Sequence, residues 1–299
     1  MGIRSYDSIE EAISGCFGED VIISDSTYVS GGDINNASCL CLSNKKKVFV
    51  KSNSISKKAF FDAEEEGLLA IDATGAIGIP KLLCKGVDRE QGISFLMMEM
   101  IESQRGLRDT MTEFGHRLAD MHNADTSCFV SDGRFGFDHD NFIGATKQIN
   151  APQNSWIDFF RQCRLEPQLR MASDHFDRSV IRDAVAFLDR LDDILTEPDH
   201  PSLLHGDLWS GNYIVDGNGR VLLIDPAAYV GNAEADIAMT ELFGRFPDGF
   251  YRAYYEKNPL QDGYEDRRQI YNLYHLTNHL NLFGRGYLEP VIGIIRKFI

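Results

Sequence analysis

Between Ser202 and Ala227 the chain reads SLLHGDLWSGNYIVDGNGRVLLIDPA, and this stretch leaves its neighbours little freedom in how they can be arranged. Two short β-prone runs, Tyr213 to Val215 and Val221 to Ile224, flank Asp-Gly-Asn-Gly, the turn composition that folds such runs back on each other. A hairpin there brings Asn212, at its entrance, beside Asp225, at its exit. Two oxygen-bearing side chains converging next to the loop residue Asp207 suit Mg²⁺, which takes a few protein oxygens together with water and phosphate. Asp207 is then left to take a proton from a hydroxyl. Any one of these residues alone reads as a turn cap. Three at these spacings, with the hairpin between them, read as a site.

The order Asp207, Asn212, Asp225 resembles the catalytic and metal loops of kinase-fold phosphotransferases. His205-Gly206-Asp207, in place of the His-Arg-Asp of protein kinases, is similar to the small-molecule branch that includes aminoglycoside and choline kinases. The longer string HGDLWSGN is similar to the fructosamine-3-kinase (ketosamine-3-kinase) family. So are GGDIN (Gly31 to Asn35), FVK (Phe49 to Lys51), EADIAMTELFG (Glu234 to Gly244) and NLYHLTNHLNLFG (Asn272 to Gly284), in order over nearly the whole chain. The resemblance implies a protein-kinase-like α+β fold of two lobes, a β-rich one over residues 1 to about 100 and a mainly helical one over 101 to 299. It implies ATP and Mg²⁺, with Asp207 as the base, Asn212 and Asp225 on the metal, Lys51 on the α- and β-phosphates, and His205 and Asp236 supporting the catalytic loop. The implied acceptor is the 3-hydroxyl of ketosamines, the Amadori-type adducts of sugars with amines. Phosphorylation there makes the adduct prone to eliminate phosphate and release the amine, which is deglycation.

Composition agrees. A chain of 299 residues with 43% apolar content can bury a large core. A net charge of −15 disfavours nucleic-acid or anionic-membrane binding. With no apolar run near eighteen residues and a polar, acidic start, the expectation is a cytoplasmic protein, monomer or homodimer. The six cysteines lack CxxC spacing, which argues against zinc and against a disulfide scaffold.

Along the N-terminal half, VIISDSTYVSGG, SCLCLS and KVFVKS read as three strands, the first running into Gly31 and Gly32, where a glycine loop can fold over phosphates. Eukaryotic members of that family often carry a cysteine in this loop, tied to redox control, where this chain has Asp33, so no glycine-loop redox switch is expected. Lys57 to Thr74 reads as a helix with Glu64, Glu65 and Glu66, of which the family's Glu-x-x-Gly-Leu pattern makes Glu64 the partner of Lys51. Leu82 to Val87 and Ile93 to Met100 complete a small antiparallel sheet. The end of the second strand resembles the hinge, with backbone groups of Glu99 and Met100 on adenine and Met98 limiting the pocket behind it.

Phe129 to Pro152 reads as a long Gly/Asp/Asn-rich connection, a type that is usually functional. Helices follow, and the C-terminal third is helical and aromatic. Trp209 is a candidate for the sugar pocket; His275, Asn278 and His279 either border that pocket or are helix-packing residues, His275 and His279 falling on one helical face without the further ligands a metal site needs. Pro226-Ala227 follows Asp225 with no recognisable activation segment, which favours a small-molecule acceptor. An aminoglycoside, choline or a free sugar would use the same machinery, and a nucleotide-binding scaffold without turnover is the reading from another class.

Overall fold

A computed structural model describes residues 2–29, 35–103, 109–132 and 134–299, so Gly31, Gly32 and Asp33 lie outside the described residues. β1 (Arg4–Tyr6) leads into α1 (Ile9–Phe17), capped by Ser8, whose Oγ accepts from the Glu11 N–H at 3.0 Å. β2 (Ile23–Tyr28), β3 (Asn36–Leu42) and β4 (Lys47–Ser54) form an antiparallel meander. After α2 (Lys58–Ala73), β5 (Leu82–Asp88) and β6 (Ile93–Glu99) complete a six-stranded sheet of order β1-β5-β6-β4-β3-β2.

Strand alternation decides what meets what. Val48, Val50, Phe95 and Met97 point to the face that packs with Ala12 and Ile13 of α1. Phe49, Leu96 and Met98 point the other way, against Phe61 of α2. Lys51 is in phase with Phe49 and therefore stands on the α2 face. The expected sheet gains one strand: β1 pairs parallel to β5, from Arg4 opposite Cys84 to Tyr6 opposite Gly86. Three residues without apolar alternation carry no signal by which a strand could be read.

The remainder is mainly helical. α3 (Thr110–His122) precedes a hairpin of β7 (Asn141–Ile143) and β8 (Thr146–Gln148) inside the long connection, again too short for a periodic signal. α4 (Trp156–Phe159) passes through a π-helical turn into α5 (Glu166–Met171), and α6 (Arg178–Asp189) and α7 (Leu191–Ile194) follow. β9 (Ser202–Leu204), the predicted hairpin β10 (Tyr213–Val215) and β11 (Val221–Leu223), and β12 (Tyr229–Gly231) then build the loop region. β12 pairs with β9, Tyr229 opposite Leu204. α8 (Glu234–Leu242), α9 (Asp248–Lys257), α10 (Tyr264–Phe283) and α11 (Leu288–Lys297) close the chain. One apolar core joins these elements, from Ile71 of α2 to Phe298. Among the described residues no helix is long and apolar enough to cross a membrane.

Candidate active site

The β9–β12 pair sets the frame. Where β9 ends, His205 and Gly206 turn the chain, and their backbone N–H groups donate to the Asp236 carboxylate at 2.7 and 2.9 Å. Asp236 also accepts from His122 at 3.2 Å, whose other ring nitrogen accepts from the Tyr254 hydroxyl at 2.7 Å. Burial opposes the charge on Asp236, but these donors outweigh it and hold its carboxyl below the usual carboxylate range. Gly206 has φ +80°, and a Cβ there would fall 2.1 Å from the Ala227 carbonyl oxygen. Only glycine fits that crossing.

His205 ties the Asp207 and Asp225 segments to one support. Its Nε2–H donates to the Ile224 carbonyl at 2.9 Å, one residue before Asp225, while Nδ1 accepts the Asp207 N–H at 3.2 Å. Both roles need a neutral ring, and burial, only partly offset by Asp236 and the Ile224 carbonyl, pushes its pKa down. The hairpin register places Val215 opposite Val221 and Tyr213 opposite Leu223, and the Ile224 N–H reaches the Asn212 carbonyl at 3.1 Å. Asn212 and Asp225 are thereby neighbours, as the turn composition implied. The Asn212 Nδ2 group donates to the Asp207 carbonyl at 2.8 Å and to its carboxylate at 3.1 Å, leaving Oδ1 as its remaining oxygen. Burial pushes the Asp207 carboxyl up to about 7, against the Asn212 hydrogen bond and with the repulsion of Asp236. The group is closely packed yet keeps part of its surface open to a cavity.

Across that cavity, Lys51 donates to Glu64 at 2.6 Å and contacts the Asp225 carboxylate. Of the three consecutive acids, Glu64 alone reaches Lys51; Glu65 pairs with Lys85 at 2.6 Å, and Glu66 lies half-exposed 3.7 Å from His139. The Lys51 and Glu64 side chains are buried, whereas that of Asp225 is 42% exposed. Asp225 has φ +54°, a left-handed backbone uncommon outside glycine, asparagine and aspartate. After it, Pro226–Ala228 runs directly into β12. The Ala227 N–H donates to the His205 carbonyl at 2.9 Å, Gln148 donates to the Ala227 carbonyl at 3.0 Å, and Asn141 donates to the Ala228 carbonyl at 2.7 Å.

The cavity, of about 690 Å³, is lined by Lys51, Glu64, Asp207, Asn212 and Asp225, and also by Trp209, Asn278 and His279. Its size falls within the range of small-molecule sites. His275 does not line it. One turn earlier on α10, it is 5% exposed, with Nδ1 lacking a hydrogen-bond partner and its carbonyl accepting from His279 Nδ1 at 2.8 Å. The hinge candidates also stand apart from this lining: Met98 is buried against Phe61 and Leu96, and the Glu99 N–H donates to the Lys81 carbonyl at 2.9 Å. The sequence reading missed Phe60 and Phe142, whose rings meet at 4.3 Å between α2 and β7, and the wall residues Phe243, Phe283 and Tyr287. The signs of that wall in the sequence are the aromatic richness of the C-terminal third and the motifs EADIAMTELFG and NLYHLTNHLNLFG, which contain Phe243 and Phe283.

The donor set fits Mg²⁺. Among the described residues no group of three or more His, Cys, Asp or Glu side chains could hold a metal by itself. One carboxylate and one amide oxygen facing a cavity are what an ion needs when phosphates supply the rest of its shell.

The sequence profile described as fructosamine kinase matches residues 5–299. A probable ketoamine kinase from Synechocystis is 40% identical over 98% of this chain and 96% of its own length. A chloroplastic protein-ribulosamine 3-kinase from Arabidopsis thaliana is 38% identical over 100% of this chain and 90% of its own. The crystal structure of a candidate fructosamine-3-kinase from Haemophilus somnus superposes with a TM-score of 0.84 at 29% identity, covering 98% of this chain and 97% of that one.

Proposed function

The chain belongs to the fructosamine kinase family, and from that premise we propose that it transfers the γ-phosphoryl group of ATP to the 3-hydroxyl of ketosamines, the step that leads to deglycation. The observation that carries the reading is the meeting of Lys51 with Asp207, Asn212 and Asp225 around one cavity, although 156 and more positions of chain separate the lysine from the other three. Nucleotide lies between an ATP-binding lobe, residues 1–100, and a catalytic lobe, residues 101–299.

Lys51, held by Glu64, binds the α- and β-phosphates. Asn212, through its Oδ1, and Asp225 are the residues that would hold Mg²⁺, which would neutralise phosphate charge when bound. Asp207 receives the proton of the sugar hydroxyl as its oxygen attacks the γ-phosphorus and the bond to the ADP oxygen breaks. A carboxyl whose affinity for protons is raised by burial is a better acceptor for that transfer than a solvated one. Trp209, Asn278 and His279 border the acceptor, and Asp236 and His205 keep the loop in place. Alignment and charge neutralisation supply most of the acceleration.

ATP consumption measured across fructosamine, ribulosamine and erythrulosamine derivatives, with kanamycin and choline as controls, tests the acceptor. Turnover confined to ketosamines is the expected result. Turnover of kanamycin or choline alone would replace the acceptor while keeping the machinery.

A further inference from the structure

The cavity has two chemically different ends. Glu64, Lys51, Asp225, Asp207 and Asn212 form one, each in contact with another of the set. Phe243, His279, Phe283 and Tyr287 form the other: the His279 ring lies 4.6 Å from Phe243, 5.3 Å from Phe283 and 5.1 Å from Tyr287. Trp209, two residues past Asp207, also lines the cavity, its indole packed over Gly211, where a Cβ would sit 2.4 Å from the ring.

Two of these rings are left partly open to solvent, Trp209 at 37% and Phe283 at 53%. Large apolar side chains exposed singly are ordinary; two exposed on the wall of one cavity are an unfilled contact surface. Lys51 is the only lysine or arginine among the described lining residues, and Glu64 and Asp225 already engage it. The ring end thus offers no cation to an anionic group. His279 donates Nδ1–H to the His275 carbonyl, and burial lowers its pKa, so it stays neutral with Nε2 as an acceptor.

We propose that Trp209, Phe243, His279, Phe283 and Tyr287 form a subsite for the nitrogen substituent of the ketosamine, favouring uncharged apolar groups over carboxylate-bearing ones. The inference rests on the ketosamine reading above. With the 3-hydroxyl at Asp207, only C2 and C1 separate the reacting carbon from the nitrogen, so whatever the nitrogen carries must leave the phosphate end and meet the next wall. Trp209, two positions from Asp207 along the chain, lines the same cavity as the His279 ring cluster. The ammonium gains from ring faces and from an acceptor nitrogen, an alkyl or aryl substituent gains from ring contact, and a carboxylate is desolvated without a partner.

The test compares fructosamine adducts of benzylamine, methylamine and glycine, read by Trp209 fluorescence on binding and by kcat/KM. The other tryptophan, Trp156, is fully buried and serves as a constant background. The benzylamine adduct should bind at least about tenfold more tightly than the methylamine adduct, and the glycine adduct more weakly than either. Phe283→Ala should shrink the benzyl-to-methyl ratio, and Phe283→Lys should raise relative affinity for the glycine adduct; the exposure of Phe283 makes both variants tolerable to the fold. Equal binding of benzyl and methyl adducts, or a ratio unmoved in both variants, overturns the subsite. Ring-dependent binding with no phosphorylation of any adduct would uphold the subsite and sink the kinase reading instead.

Discussion

Asp207 carries a charge that its surroundings resist, since burial has lifted its pKa to about 7. Removing that charge relieves the fold and, on the proposed mechanism, takes away the proton acceptor. Asp207→Asn is therefore expected to lower phosphorylation by roughly 10²–10⁴-fold, with a Tm equal to or above that of the parent protein in a thermal melt. His275 makes the opposite kind of claim, on stability alone. Burial pushes its pKa down to about 3, against about 6.5 in an unfolded chain. Below pH 6.5 the unfolded chain takes up a proton that the folded one refuses, so this contribution is intact above that pH and declines as the pH falls toward 3. Between pH 7 and 5 the parent should lose about 2 kcal/mol more stability than His275→Gln. Urea titrations of both proteins at the two pH values check this, and parallel losses would exclude a buried neutral ring.

The loop elements owe their form to backbone crossings as much as to side chains. Gly206 and Gly75 both have positive φ, +80° and +65°, but only Gly206 has a carbonyl oxygen where a Cβ would go; Gly75 has nothing within 4 Å. Gly75→Ala should cost about 1 kcal/mol, from conformation alone. Gly206→Ala adds a clash with the Ala227 carbonyl, in the segment between Asp225 and β12, and should cost on the order of 3 kcal/mol. It should also depress activity in proportion to the displacement of that segment, and comparing the two Tm values with the two rates separates the effects. The β10–β11 hairpin was legible because Asp-Gly-Asn-Gly states its own geometry, and Asn212 and Asp225 came with it. The β7–β8 hairpin was not. Its strands have three residues each, and its purpose is expressed through Asn141 and Gln148 reaching carbonyls some eighty positions away, a relation that no local pattern records. His275 and His279 show the same limit: spacing places both on one face of α10, but only tertiary packing decides that His279 meets the cavity and His275 the core.

At the scale of the molecule, the sheet and the helical part are joined through Lys51, which reaches Glu64 on α2 and Asp225 beyond β11. Phe60 and Phe142 add a ring contact between the same two parts. Lys51→Met would strand a buried Glu64 carboxylate and should cost about 3 kcal/mol, largely recovered in the Lys51→Met/Glu64→Leu double variant; Asp225, already partly solvated, should contribute little. Chemical denaturation of the two variants distinguishes this from a simple loss of nucleotide binding, which both would share. The polar cluster was readable because chemistry constrains it to a few residue types at fixed spacings. Of the aromatic wall only His279 was a candidate in the sequence; Phe243, Phe283 and Tyr287 join it only after α8 and α10 pack.

The short path from Asp225 into β12 has a physiological corollary. Between Asp225 and Asp236 there is no serine or threonine, and the one tyrosine, Tyr229, is sealed inside the protein. A signalling enzyme would find no hydroxyl to modify there, and no slack whose tightening could switch output on. A covalent signal to this site would have to arrive through residues outside that segment.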